Sequence, residues 1–483
     1  MAFLPNRRRY TVACLFIGFA LNICFLMWMS ATQDTSEHFD IAGDNRMSKK
    51  GFVPDAGFPS PGELSGSTAV RLDSRDPAMN FDQSQVLNQW DGECHIKYNE
   101  FAFPDHGCLV NAPSMRAHCQ LENLLIDKTK VFSESIGGEP LLSVLGQNGE
   151  GEFLRYEKGA LKILRKVDHS LQPVQKSRFH YLNGVFEAVV VHPGGEALCE
   201  EKWTGTTLFI TRYEYVNLYH TVTDWWNCFF SISDHTSPTN VVFLDAHPEG
   251  SLDPVWKDLF RGKIAFMNHL EMSMTCFEHA RFIPPGYSAP LYPLPRPRES
   301  NCRSPVQMSS FVDYVLNTYN LSHIHRIPGR VVILERIPYL DHPRRDLNKV
   351  ERLLTNLRPL AESLPQRLTP YYGVNVTVEV AALVDKPMNE QIRTIREAHV
   401  LVANHGAGLT HSIFLDDATH VVEMSCDNEF FTELISWKPN VRHHCQPILA
   451  ETIPDFYWDR FVVSVVEAAI KREIGRTIKS TLF

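Results

Sequence analysis

The sequence predicts an α/β protein: two Rossmann-like domains facing a cleft, behind a single amino-terminal transmembrane anchor and a flexible stem. Three observations predict it. An apolar run near the amino terminus is long enough to cross a bilayer. A polar, turn-rich stretch without apolar periodicity follows it. From about Trp90 onward, short β-rich runs alternate with amphipathic helical patterns. The bulk figures agree with this division. A chain of 483 residues is long enough for two or three domains, and 44% hydrophobic with 21% charged residues excludes wholesale disorder and a multi-span membrane protein. A net charge of -9 argues against a nucleic-acid binder, which carries a basic excess. No repeat of about 20–50 residues is visible, which argues against solenoids and propellers.

Taken in order, residues 1–9 are a short tail ending in Arg7, Arg8 and Arg9. Tyr10 to Met29 is the anchor, with Asn22 its only strongly polar side chain. Basic residues before the run and Asp34, Glu37 and Asp40 after it put the tail in the cytosol and the rest in a lumen. Ser30-Ala31 offers small residues for signal cleavage. The run, however, exceeds the ~7–15 residue core of a cleaved signal and ends on bulky Met27-Trp28-Met29, so an uncleaved anchor is expected. Asn320-Leu-Ser and Asn375-Val-Thr are glycosylation sequons. Of 11 cysteines, Cys14 and Cys24 lie in the anchor, leaving nine; that odd number leaves at least one thiol free or paired with another chain. No C-x-x-C spacing occurs, so disulfides are expected rather than a cysteine zinc site.

Residues 30–90 are rich in Gly, Ser, Pro, Asp and Asn, too poor in apolar surface to offset ordering entropy, and read as a tether. Residues 91–325 read as an amino-terminal α/β domain on the acceptor side. Thr206–Thr211, Asn240–Asp245 and Lys263–Met267 are its strands, and 214–230 is helix-compatible. Pro284-Pro-Gly286 and the proline-rich run 290–305 read as the crossing to the second half. Residues 326–483 read as a Rossmann-like donor domain. Strands are expected at 331–334, 374–384, 399–403 and 420–424. The intervening helices are capped by Asp346, with apolar positions Val350, Leu353, Leu354, Leu357 and Leu360, and by Asp385, with Pro387 in the first turn. A last helix spans about 459–478. This βαβαβ order implies a parallel, doubly wound sheet.

The sharpest chemical signal is His405-Gly-Ala-Gly-Leu-Thr-His411, directly after a strand. Glycines at such a turn let backbone N–H groups approach an anion, which suits a diphosphate; the plainer reading is a tight turn. Glu423, near the end of the next strand, is placed to accept ribose hydroxyls, or else to form a salt bridge. Arg336, Arg344 and Arg345 follow the first strand and are natural phosphate clamps. In the first half, Asn217, His220 and Asp224 share one helix face beside Trp225 and Trp226, suiting an acceptor cleft, or else caps and core. The absence of any D-x-D triplet favours a metal-independent reaction.

These residues resemble glycosyltransferase family 61, and within it the β-1,2-xylosyltransferases of N-glycan cores. The resemblance rests on Arg212-Tyr-Glu-Tyr-Val-Asn-Leu-Tyr-His-Thr-Val-Thr-Asp-Trp225, Tyr339-Leu-Asp-His-Pro-Arg344, the His405 turn with Glu423, and Gly137-Gly-Glu-Pro-Leu-Leu-Ser-Val-Leu-Gly146. It implies a GT-B-like pair of domains in a type II Golgi membrane enzyme, with UDP-xylose as donor and no metal cofactor. Inverting transfer to the 2-hydroxyl of the core β-mannose is implied. Arg336, Arg344, His405, Gly406, Ala407, Gly408, Leu409, Thr410 and Glu423 would form the donor site. Asp224, then His220, are the expected bases, with Asn217, Trp225 and Trp226 on the acceptor side. The alternatives are an N-acetylglucosaminyltransferase of the same family and a non-catalytic luminal glycan-binding protein.

Overall fold

The computed structural model describes residues 107–482 apart from 112–115, 148, 165–179, 193–197, 213, 287–288, 290, 292–305, 338–352, 385, 427–429, 439 and 447–451. The expected anchor at Tyr10–Met29, the stem at 30–90 and Arg344 lie outside the described residues. Among the described residues no helix is long and apolar enough to cross a membrane. All of them belong to one compact unit, Ser65–Phe483.

The protein is mixed α/β, built on two large sheets. The first is eight-stranded. Its strands are β1 (Gly107–Asn111), β2 (Arg116–Asp127), β5 (Leu161–Ile163), β6 (Val189–Val191), β7 (Glu201–Ile210), β8 (Thr239–Phe243), β9 (Arg261–Phe266) and β10 (Met274–Phe282), while β3 (Val131–Phe132) and β4 (Arg155–Tyr156) pair separately. The order is β6-β5-β2-β10-β7-β8-β9, with β1 beside β2. The three expected strands are present as β7, β8 and β9, mutually parallel. The sheet is nevertheless mixed, because the long strand β2 runs antiparallel to β10. Helix α1 (His180–Glu187) precedes β6, α2 (Leu218–Phe230) connects β7 to β8, and α3 (Asp253–Phe260) connects β8 to β9. The link Pro284–Gly286 is clamped onto α2 rather than crossing freely: Asn227 Nδ2 donates to the carbonyls of Pro284 and Pro285 at 3.0 and 3.1 Å. Helix α4 (Val306–Thr318) then leads to the second sheet.

That sheet holds β11 (Arg330–Leu334), β12 (Thr377–Ala381), β13 (Val400–Asn404), β14 (His420–Met424) and β15 (Arg442–Gln446) in the order β12-β11-β13-β14-β15. Every pairing is parallel, as the alternating pattern implies. Counted along the chain the order is 2-1-3-4-5, which reverses between β11 and β13; in open α/β sheets ligands bind at the carboxyl ends of the strands at such a reversal. The expected cap Asp346 and Val350 lie outside the described residues; the described helix α5 is Leu357–Tyr372, after Asn356, whose side chain is bonded to the backbone of Ile453. Pro365 and Pro370 lie inside α5, where an interior proline removes a backbone donor and hides a helix from pattern reading. Helix α6 (Met388–Arg396) starts one residue after Pro387, which is the N-cap rather than part of the first turn. Helix α7 (Phe430–Ser436) precedes β15. The last helix begins at Asp455–Tyr457, passes through a π turn at Trp458–Val463 and continues as α8 (Ser464–Leu482).

The two sheets share packing. One apolar cluster draws Leu208, Val241 and Trp256 from the first half and Leu401, Val421 and Leu434 from the second, with Trp225 and Trp226 of α2 in it. Disulfides join Cys199 to Cys276 and Cys426 to Cys445, and Cys119 is also disulfide-bonded. Cys228 is a buried free thiol. Both sequon asparagines, Asn320 and Asn375, are exposed.

Candidate functional site

The reversal between β11 and β13 brings Arg336 and His405 together, two residues and one residue beyond their strands. Arg336 Nη1 donates to the His405 carbonyl at 3.4 Å. The His405 amide is in turn fixed to Met424 O at 2.9 Å, so the turn is tied to β14 as well. Gly406 has φ 155° and ψ 177°, a region essentially restricted to glycine. A Cβ there would also come within 2.8 Å of Arg336 Nη1. Gly406 is thus required by its backbone, and a side chain there would make the end of Arg336 give way. Gly408 is different, since a Cβ on it would meet only Leu334 Cδ1 at 3.7 Å. The following segment, Ala407–Phe414, is a 3-10 helix. Gly406 and Ala407 are partly exposed and Gly408 is exposed, whereas Leu409 and Thr410 are core residues at 0% and 1% exposure. Leu409 and Thr410 therefore support the turn from beneath instead of lining it, because the 3-10 helix turns them inward. The second histidine of the motif, His411, is buried between Gly408 O and Gln391, and burial pushes it down to about 4.

Glu423 does not stand as an open carboxylate at the sheet edge. It is fully buried, and each oxygen accepts one histidine: His405 Nδ1 at 2.5 Å and His443 Nε2 at 2.8 Å. Burial pushes its carboxyl up, but the hydrogen bonds from His405 and His443 outweigh this and hold it below its ordinary value. Two donors are what a buried carboxylate needs to remain ionised. The geometry is that of an anchored histidine beside a guanidinium, the guanidinium suited to binding an anion and the histidine to accepting from a hydroxyl or moving a proton.

The first half meets this edge through α2, which packs against the 3-10 helix. Tyr219 lies 4.6 Å from Phe430 and 6.4 Å from Phe431, ring centre to ring centre, and Phe431 lies 5.1 Å from His405. His220, partly exposed, follows Tyr219. The remaining residues of the α2 stripe are placed otherwise than the acceptor reading expects. Asn217 is the N-cap, accepting from Tyr219 N at 3.0 Å. Trp225 and Trp226 are 0% exposed and pack against Trp256, Phe230, Phe311 and Trp437, so they are core and offer no sugar platform. Asp224 is 1% exposed, and its Oδ1 accepts the Gly286 amide at 2.6 Å.

A second charged centre lies at the carboxyl ends of β7 and β8. Arg212 is 1% exposed and donates to Asp245 at 2.8 Å and Asp253 at 2.7 Å, with its guanidinium 4.2 Å from the centre of the Phe243 ring. His247 joins the same centre, bonded to Glu152 at 2.9 Å and to Arg212 O at 2.8 Å. Sequence reasoning assigned no role to His443, Asp245 or His247. Asp245 ends an expected strand, the one available signal; His443 lies in Arg442–Gln446, which carries no periodic pattern. Among the described residues no group of three or more His, Cys, Asp or Glu is arranged to hold a metal ion.

Comparison with known proteins bears on this geometry. The family model described as glycosyltransferase 61 matches residues 218–422, from the start of α2 into β14. A β-1,2-xylosyltransferase of Oryza sativa subsp. japonica is 29% identical over 327 residues, covering 61% of this chain and 60% of that protein. The chain thus spans under two thirds of that relative's length. A β-1,2-xylosyltransferase of Arabidopsis thaliana is 24% identical over 398 residues, covering 68% of this chain and 74% of that protein. An EGF domain-specific O-linked N-acetylglucosamine transferase of Gallus gallus is 25% identical over 334 residues, covering 65% and 56% respectively.

Proposed function

Because the chain belongs to the glycosyltransferase 61 family, we propose that it is an inverting β-1,2-xylosyltransferase, moving xylose from UDP-xylose to the 2-hydroxyl of the core β-mannose of N-glycans. The observation that carries the reading is the pairing of Arg336 with the His405 turn at the strand-order reversal of the parallel sheet, where a nucleotide diphosphate is expected. The named activity of the rice and Arabidopsis relatives supports the donor. In this reading residues 326–483 bind the donor, residues 91–325 the acceptor, and the two form a GT-B-like pair. Tyr10–Met29 anchors the protein in the Golgi membrane with its body in the lumen, glycosylated at Asn320 and Asn375.

Inverting transfer needs a base on the attacking hydroxyl and positive groups on departing UDP. As the C–O bond to the mannose oxygen forms, the bond from the anomeric carbon to UDP breaks, and the hydroxyl proton passes to the base. Arg336 and Arg344, with the amides around Gly406, meet the charge that develops on the diphosphate, so no metal is needed. Of the two bases expected on α2, burial favours His220 over Asp224, whose Oδ1 already holds the Gly286 amide. Asp224→Asn, which keeps an acceptor oxygen for that amide, is therefore expected to retain transfer. Loss of a general base costs about 10²–10⁴-fold, so a loss of that size in folded Asp224→Asn would return the role to Asp224.

The reading is tested by offering UDP-xylose and UDP-N-acetylglucosamine in competition to the purified protein, with a core N-glycan acceptor and EDTA, and reading product mass. A pentose gain is expected. A hexosamine gain would favour the activity named for the Gallus gallus relative. Neither gain, with UDP still bound, would remove the proposed acceptor.

A further inference from the structure

We propose that His443 is a positioning residue: acting through the Glu423 carboxylate, it holds His405 as the tautomer that carries its proton on Nδ1. The proposal deepens the reading of His405 as part of the donor site and rests on it for its consequence in transfer.

The hydrogen-bond chemistry leads there step by step. An ionised carboxylate only accepts, so the nitrogens facing it, His405 Nδ1 and His443 Nε2, both carry protons. A neutral imidazole has one N–H. With that proton on Nδ1, His405 Nε2 becomes the ring's proton-accepting atom, set by the bond the other nitrogen makes. His443 stabilises this state because it occupies the second oxygen of a carboxylate with no exposure to water. Remove it and Oε2 loses its donor in a buried place, which favours protonation of Glu423. A protonated Glu423 can donate to His405 Nδ1, and the His405 proton then moves to Nε2. The ring would keep its place while changing from acceptor to donor on the side away from Glu423.

The fold locks His443 in position. In the parallel β14–β15 ladder, Glu423 is opposite Cys445 and Val421 opposite His443, so His443 and Cys445 share the face that carries Glu423. Cys445 is bonded to Cys426, three residues beyond Glu423, with Cα atoms 6.0 Å apart. Strand β15 is at the end of the sheet order, where register is held on one side only. A slip of one residue would turn His443 to the opposite face, and the disulfide opposes that slip.

The test uses full-length protein with ¹⁵N-labelled histidine, observing long-range ¹H–¹⁵N couplings, with the His405 signals assigned by their loss in His405→Gln. Wild type is expected to show His405 protonated on Nδ1. His443→Leu should move that proton to Nε2 or give a mixture of tautomers. His443→Gln, whose amide restores a donor to Oε2, should return the wild-type pattern. In the transfer assay His443→Leu should lower kcat about 10- to 100-fold, the size typical for outer partners that orient functional histidines, with His443→Gln recovering most of it. If the leucine variant does not fold, His443→Asn, with too short an amide to reach Oε2, replaces it. Persistence of the Nδ1–H signal in folded His443→Leu, or its absence from wild type, overturns the proposal. If the tautomer follows the prediction but neither sugar is transferred, the positioning role stands and the proposed function fails.

Discussion

Replacing Arg212 with leucine is expected to destabilise the protein by about 3–5 kcal/mol at neutral pH, the cost of removing one partner from a buried ion pair. Asp245 is 1% exposed and receives the Arg212 guanidinium and the Arg212 backbone N–H, both at 2.8 Å. Burial pushes its carboxyl up, yet the Arg212 charge dominates the remaining influences and holds it below the ordinary range. Without Arg212 the burial cost is opposed only by His247 and the backbone contacts, so Asp245 should become harder to ionise. This gives the prediction a pH signature. In wild type a depressed carboxyl contributes stability that is complete above its unfolded value of about 4 and is lost as pH falls through the lower folded value. In the variant the carboxyl is raised, so acid relieves the buried charge. The gap between the two proteins, measured by urea unfolding, should therefore narrow from pH 7.5 to pH 5. A gap that is constant with pH would mean that lost packing of the guanidinium on Phe243 and Phe266, and not the unpaired carboxylate, sets the cost.

Which parts of this architecture can be read from sequence depends on how local their causes are. Strand β13 and the His405 turn are legible because an apolar strand followed by His-Gly-Ala-Gly is a signal contained in a few residues. The parallel sheet follows from the alternation of strands and helices. Strand β2 is illegible because its partner β10 lies about 150 residues away, and a sequence such as Arg-Ala-His-Cys-Gln-Leu-Glu becomes a strand only when that partner supplies the pairing. The same holds for chemistry. Glu423 is readable as a functional carboxylate, but its second donor, His443, is on another strand 20 residues on, inside a segment without pattern. Trp225 and Trp226 show the opposite error. A polar stripe beside two aromatic residues fits a sugar cleft, and it fits equally the inner face of a helix enclosed by both sheets; only the packing around α2 separates these. Asp224 belongs with them, since nothing near it in sequence announces that Gly286 will deliver an amide to its carboxylate.

Substitution of the two glycines in the His405 turn should separate backbone from ligand. Gly406→Ala is expected to lose about 10²–10³-fold in transfer, the size associated with removing one preorganised contact to developing charge. Two effects act together. The backbone at φ 155° and ψ 177° costs an L-residue about 1–3 kcal/mol, and the new methyl would occupy space 2.8 Å from Arg336 Nη1. An arginine end is flexible and can yield, so the steric part falls on function: the guanidinium leaves the His405 carbonyl and the place where the diphosphate is proposed to bind. Gly408→Ala meets only Leu334 at 3.7 Å and lacks the backbone constraint, so its folding stability should equal that of wild type or rise slightly through loss of chain entropy. Measuring both variants by thermal unfolding and by UDP titration makes the distinction sharp. Gly408→Ala, stable but weakened in UDP binding, would mean that the ligand approaches the exposed backbone at 408 closely enough to exclude a methyl group. Stable and unaffected, it would confine the requirement to Gly406 and make Arg336, with the carbonyl that holds it, the principal contact to the donor. Normal transfer by Gly406→Ala would mean that the contact of Arg336 with the His405 carbonyl is not needed for the reaction, because that variant makes the guanidinium shift.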